Sequence, residues 1–395
     1  MTPAPAPDAA GASHDAWRRI ALGGGGGMFV GMGLGRFSYT AMVPALVESG
    51  ALTAVEAGRV GMVNLIGFLA GAALSARLVV RGSVRRVLGA AIGLSVLALA
   101  ASAVPGGFVW LGACRGLIGV ATGIVMVLSL ALIAATAPER KRPVAASFMF
   151  AGVGLGVLMS GTLVPLLVAQ GLFVTWSGLA LAGLIGVVLA IWGWQAAPDL
   201  RPPASSTRKP AVAWRPLAGL LVAHALFSLG IVPHTLYWVD YIARGLGQGI
   251  TVGGLHWSLV GVFSVLGPWM AARMALGMGA AWGLVAGFAA LSLGIGGPAL
   301  WPAIGMLVLS SALFGAQPGM SVLMAVRARE LGSSDAMPRV MRAMILANSC
   351  GAVIGGLTVP ALYGLTGSHG AVFLLGGAAM LVGEMAAWPS QQRSR

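Results

Sequence analysis

The chain has 395 residues, 58% of them hydrophobic and only 9% charged, and a mean hydropathy of +0.90. Soluble domains carry about 25% charged residues, so the composition excludes a soluble fold and points to a polytopic membrane protein whose helices each need about 20 apolar residues. The net charge of +14 does not indicate nucleic-acid binding, because Lys and Arg cluster in short polar gaps between apolar runs, as the positive-inside rule describes.

Residues 1–16, MTPAPAPDAAGASHDA, are rich in Ala and Pro and are expected to be disordered. Arg18 and Arg19 ahead of an apolar run imitate a signal peptide. No small-residue cleavage site follows, so this run reads as an uncleaved first span. Twelve spans are expected near 20–47, 56–79, 84–104, 108–135, 143–168, 173–194, 215–241, 252–272, 277–296, 300–326, 339–365 and 370–388. They form an all-α membrane protein with an N-terminal six-helix bundle (17–195) and a C-terminal one (215–390). The polar stretch AAPDLRPPASSTRKPAVAW reads as a cytoplasmic linker at 196–214, and 391–395 as a cytoplasmic tail.

With the N-terminus inside, all of the 24 Lys and Arg except Arg36, Arg59, Arg115 and Arg244 fall on the inner side. Both termini are therefore expected in the cytoplasm, in an inner membrane. Cys114 and Cys350 lie inside spans, show no disulfide or metal spacing, and read as small buried residues.

An internal repeat appears at an offset of 195 to 196. Gly35 meets Gly230, Gly58 meets Gly254, Arg77 meets Arg273, and SGTLVP (160–165) answers GGLTVP (355–360), so that Pro165 meets Pro360. A duplicated membrane protein is the sequence form of an alternating-access transporter.

Arg36 lies inside the first span, in MFVGMGLGRFSYT (28–40), and Arg115 inside the fourth, in CRGLIGVATG (114–123). A charge at mid-membrane costs about 2.5–3.5 kcal/mol on insertion scales, so each needs a partner, water or a ligand. Spans 2 to 6 hold no Asp or Glu in their interiors. The planar guanidinium fork matches a carboxylate, so Arg36 and Arg115, with Tyr39, are candidate ligands of an anionic or carboxylate-bearing small molecule. The plainer reading is that each arginine satisfies helix carbonyls or Tyr39 and holds the bundle together.

The seventh span, HALFSLGIVPHTLYWVDYIARG, carries His224, His234, Tyr237 and Asp240. His234 and Tyr237, three apart, are expected on one face, with Asp240 extending that line outward. His234 and Asp240 are proton-coupling candidates. The plainer readings are a solvated helix end pairing Asp240 with Arg244, and an imidazole satisfying backbone near Pro233. Tyr237 and Gln317 join the candidate substrate contacts, and Asn64 adds hydrogen bonding. Gly23, Gly27, Gly31 and Gly35 form a small-residue packing stripe rather than a dinucleotide loop, which would need a βαβ context. Trp110, Trp238 and Trp301 read as interfacial anchors.

The layout resembles the major facilitator superfamily over essentially the whole chain. LGRFSYTAMVP (34–44) resembles the helix 1 pattern of its drug/proton antiporter branch, with Ala41 where a further Pro is common; CRGLIGVATG (114–123) resembles the superfamily's Arg-bearing helix 4 motif; and AGVGLGVLMSGTLVP (151–165) loosely resembles its glycine-rich antiporter motif. GLGRFSYT with EAGRVGMVNLIGFLAGAAL (56–74) looks most like the YbfB/YjiJ group. The resemblance implies a major facilitator fold whose central cavity is lined by helices 1, 4, 7 and 10, and it gives Arg115 a part in proton coupling or packing. The loop RLVVRGSVRR departs from the family pattern in lacking the acid before GRR, so no gating ion pair is carried over to it.

The expected function is secondary active transport of a small organic molecule, coupled to protons, with export modestly favoured. Multidrug or sugar efflux with Arg36 structural is the alternative. The absence of a P-loop argues against ATP-driven transport; an intramembrane enzyme or a sensor is a second class, and no HExxH or GxSxG supports an enzyme. No cofactor or metal is expected. The partners are substrate, protons and membrane lipid, with a monomer expected and no nucleic acid.

Overall fold

The computed structural model describes residues 16–198 and 212–389. The N-terminal segment, most of the linker and the C-terminal tail lie outside the described residues. Helix α1 comprises Ala16–Met28, a π-helical stretch Phe29–Phe37, and Ser38–Glu48. Then follow α2 (Ala54–Arg81), α3 (Val84–Ala101), α4 (Gly107–Thr136), α5 (Arg142–Val168) and α6 (Leu172–Trp194). In the second half α7 comprises Trp214–Gly230, Val232–Asp240 and a π-helical end Tyr241–Gly245. The helix Gly249–Leu300 turns at Gly279, whose φ of +82° only glycine adopts without strain, and so forms two spans, α8 (249–278) and α9 (280–300). Last come α10 (Ile304–Gly315 and Pro318–Leu331), α11 (Met337–Thr366) and α12 (His369–Ala387).

Twelve crossings result, in two six-helix halves. Among the described residues, nine helices are long and apolar enough to cross unaided, one of them the double helix α8–α9. The α10 pieces, bent by 43° ahead of Pro318, make a further crossing, and α1 is divided only by its π turns. Local chemistry sets the boundaries. Thr53 and Glu56 form a capping box that opens α2, and the Ser368 hydroxyl accepts from the Ala371 N–H to open α12. In α7 the helix breaks at Ile231, where Pro233 cannot continue the ladder.

The small-residue stripe of α1 packs as expected. A Cβ at Gly23 would lie 2.9 Å from Gly193 Cα, and one at Gly35 2.8 Å from an Ile118 methyl. The backbones approach this closely because no side chain intervenes. Gly119 and Gly123 of α4 do the same against the backbone of α2.

Two expectations are corrected. Trp238 is completely buried in the second half, stacked on His234, so it is no interfacial anchor. Trp110 and Trp301 are exposed at span ends. Cys350 is exposed on α11, on the outward stripe it shares with Leu346, Ile354 and Leu357, whereas Cys114 is buried. A four-residue step from either neighbour keeps Cys350 on that stripe.

The first and last described turns of each half lie together, Arg19 donating to the Trp192 carbonyl and Gly219 packing on Ala386; the side of the bundle they occupy is the near side. The halves meet toward the opposite, far side. Thr40 donates its hydroxyl to the Thr235 carbonyl, Tyr237 to the Ala54 carbonyl at 3.1 Å, and the Trp257 indole N–H to the Phe37 carbonyl at 3.1 Å. Backbone contacts follow the repeat: Gly58 packs on Pro360 as Gly254 packs on Pro165, and Gly356 on Met62 as Gly161 on Ser258.

Candidate functional site

The π-helical turns of α1 bring Arg36 to the middle of the bundle. π turns are uncommon and gather at functional sites. From Gly23 to Leu46 every residue is buried except Met32 and Arg36, which lie four apart on one face. Helices α3, α4, α5 and α6 pack around the rest of this segment, so Met32 and Arg36 mark the face that these helices leave uncovered. The Arg36 guanidinium carbon lies 5.2 Å from the Phe37 ring centroid, and its Nε is buried without a hydrogen-bond partner. Among the described residues, the ion pairs join Asp240 to Arg244 and His369, and Arg327 to Glu330; none involves Arg36.

Arg115 is placed differently. It is 1% exposed, lies 4.7 Å above the Tyr39 ring, and donates Nη2–H to the Arg36 carbonyl at 2.9 Å. That carbonyl belongs to the π-helical stretch, so Arg115 braces the irregular backbone that presents Arg36. Tyr39 in turn donates to the Ala57 carbonyl at 2.9 Å, and Asn64 to the Arg115 carbonyl at 2.8 Å. Arg115 Nε and Nη1 and Asn64 Oδ1 are buried without partners among the described residues. Arg36, Tyr39 and Arg115 are thus one assembly. Arg115 and Tyr39 are buried, and Arg36 is the part-exposed member.

His234 is fully buried. Its Nε2 meets the Ser310 hydroxyl at 2.8 Å, and its ring stacks on Trp238 at 4.3 Å, with Phe314 and Phe373 around it. Its partner is a side chain, not backbone near Pro233. Tyr237 faces the other way. Its hydroxyl reaches Ala54 in the first half, and its ring stacks on Tyr363 at 5.0 Å. The expected shared face is therefore corrected: three residues leave a 60° offset on a helix, enough to send His234 into its own half and Tyr237 across the seam.

Asp240 is completely buried, not a solvated helix end. It accepts Arg244 Nε–H at 2.5 Å and Nη2–H at 2.7 Å, and it meets His369 Nε2 at 2.8 Å. His369 and Tyr363 were not singled out from sequence. The available signal was that GSHG opens the twelfth span at the far side, level with Asp240 at the far end of the seventh. His256 is also buried, with Nδ1 3.0 Å from the Ser311 hydroxyl.

Gln317 stands apart from all of these. At the bend of α10 it lines an apolar cavity of about 110 Å³ between α8, α9 and α10, with Met270, Met274 and Met320. All residues lining that cavity belong to the second half.

Residues 28–388 match a family described as "Uncharacterised MFS-type transporter YbfB". No curated protein matches the chain. Among solved structures the chain is similar to a D-xylose–proton symporter, with 18% identity, TM-score 0.74, and 93% of this chain and 96% of that one covered. It is also similar to the xylose transporter XylE from E. coli in a partially occluded inward-open conformation, with 17% identity, TM-score 0.71, and 93% and 98% covered. The nucleoside transporter NupG gives 13% identity, TM-score 0.72, and 93% and 98% covered.

Proposed function

The chain belongs to the YbfB family of MFS-type transporters, and on that premise we propose that it moves a small organic anion, a carboxylate-bearing molecule, held in the central cleft by Arg36. One observation carries this reading: Arg36, part-buried in the middle of α1, has no ion-pair partner among the described residues. A cation so placed is favoured by a visiting anion, and its planar fork suits a carboxylate. Arg115 is the positioning residue, since its bond to the Arg36 carbonyl holds the π turn. Tyr39 supports Arg115 from below.

In this reading the arrangement described here is one of two end states. The far side is shut by Tyr237, Thr40 and the paired glycine–proline contacts. Rocking one half against the other would close the near side instead. The protein acts as a monomer in the bacterial inner membrane with both termini cytoplasmic, so the near side is cytoplasmic. Protons are the coupling ion, as the printed name of one structural neighbour says of that protein. Export is favoured by the antiporter-like motifs in α1 and α5.

The test is ligand-dependent thermal stabilisation of the purified protein and of Arg36→Gln, screened over organic acids, amino acids, sugars and cationic drugs. A ligand that binds the folded state raises Tm. Stabilisation of the parent and not the variant by a carboxylate supports the reading. Equal stabilisation of both proteins by cations or neutral compounds removes it.

A further inference from the structure

The far-side cluster around Asp240 has a part in neither the fold's packing stripes nor the Arg36 assembly. Asp240 has no exposed surface, and both its oxygens are engaged by Arg244, with His369 on the second oxygen. A bidentate guanidinium holds the carboxylate ionised, and an ionised carboxylate only accepts. His369 Nε2 must therefore carry the hydrogen, which leaves Nδ1 as the open base of the ring. Nδ1 lies beside Gly245 at the far end of α7, where a Cβ would come within 3.0 Å of it. The His369 and Arg244 side chains are 10% and 24% exposed, while Asp240 is sealed beneath them. The surface of the cluster is thus carried by His369 and Arg244 and not by Asp240.

The cluster is also one layer from the seam. His369 packs edge-on against Tyr363 at 4.9 Å and Tyr237 at 6.1 Å. Tyr237 stacks on Tyr363 and donates to Ala54 of the first half. The titratable and charged groups facing Asp240 and His369 are Arg244, Tyr237 and Tyr241 from α7, and Tyr363 from α11. From the α8–α9 side the contact is the Pro298 carbonyl, which takes the Tyr241 hydroxyl.

We infer that His369 and Asp240 form a proton-binding site filled from the far side, and that its occupancy loosens the far-side seal at Tyr237. The step is a simple uptake. One proton from far-side water adds to His369 Nδ1, the cluster charge rises from zero to +1, and no covalent bond breaks. The Asp240–His369 contact lies wholly within the second half, so its strengthening is common to both end states and cancels. Water is what differs: an added charge favours the arrangement in which the cleft beside Tyr237 is hydrated. The consequence for transport rests on the proposed function; proton binding itself does not.

The test needs no substrate. Ala51 in the α1–α2 loop and Leu365 near the far end of α11 are both exposed and belong to opposite halves. Spin labels at Ala51→Cys and Leu365→Cys, with Cys114→Ala and Cys350→Ser, report the width of the far side. Between about pH 8 and about pH 5 the far-open population should rise roughly tenfold. In His369→Gln, which keeps a hydrogen-bonding side chain and cannot take up the proton, the response should vanish. Should that variant not fold, Asp240→Asn replaces it, and the response should again be lost. Closure at low pH, no pH response in the parent, or an equal response in the variant overturns the inference. Since Arg36 stays intact and no anion is added, failure of the anion reading would leave this response in place.

Discussion

The Thr40 hydroxyl donates to the carbonyl of Thr235, the residue that stands in its place in the second repeat, 195 positions on. Two equivalent residues can touch only on the axis relating the halves, so this bond marks the pseudo-two-fold axis at the far-side seal. Thr40→Val keeps the shape and removes the donor. A net hydrogen bond contributes about 1 kcal/mol, so the ratio of far-closed to far-open molecules should fall about fivefold with little change in Tm. Distance measurements between spin labels at positions 51 and 365 would show it; an unchanged distribution would mean that the bond does not hold the seal.

Flanking the axis, Gly58 on Pro360 and Gly254 on Pro165 are the two symmetry-related contacts. A Cβ at Gly58 would come within 2.9 Å of Pro360 and closer still to the Tyr237 hydroxyl, and one at Gly254 within 2.4 Å of Pro165. Neither proline ring can move aside cheaply. Gly58→Ala and Gly254→Ala should each fold and be held open on the far side. Gly364 sits within van der Waals reach of Val55, so a Val55→Cys/Gly364→Cys pair should form a disulfide readily in the parent and slowly in either alanine variant.

Arg36 and Arg115 should separate by stability. Arg115→Met removes the donor to the Arg36 carbonyl and the cation above Tyr39. A buried backbone acceptor left unsatisfied costs about 1–3 kcal/mol, so Tm should fall clearly. Arg36→Gln removes a cation with no protein counter-ion and should leave Tm unchanged or raise it. The two melting curves measured side by side decide whether the roles are divided in this way.

Gln317 should be dispensable for substrate. It lines a partly open apolar cavity whose lining comes from α8, α9 and α10 alone. Gln317→Leu should bind a stabilising ligand with the parent's affinity, read as an unchanged concentration dependence of Tm. A tenfold weakening, about 1.4 kcal/mol, would place the side chain at the site after all.

The sequence made the crossings and the repeat legible because both rest on local signals. Apolar runs set the spans, and positions such as Pro165 and Pro360 repeat at a fixed offset. Arg36 and Arg115 stood out for the same reason: a guanidinium in an apolar run needs a partner, a ligand or a bracing role. What pairing each charge would find was not legible. Arg115 and Arg36 look alike in sequence, yet one is sealed over Tyr39 and the other is part-exposed, because the π turns of α1 shift the register by which they meet. Asp240 with Arg244 could be read from an i, i+4 step, but His369 lies 129 residues away on α12. His234 and Tyr237 show the limit of face arguments, since neighbouring directions on one helix end in different halves.

The most direct test of the account is the affinity of Arg36→Lys, by titration calorimetry, for a carboxylate that stabilises the parent protein. Lysine keeps the charge and loses the planar fork. The account predicts binding weakened by roughly tenfold or more in Arg36→Lys and lost in Arg36→Gln. An affinity in Arg36→Gln equal to the parent's would contradict it, and would leave Arg36 as part of the scaffold of α1.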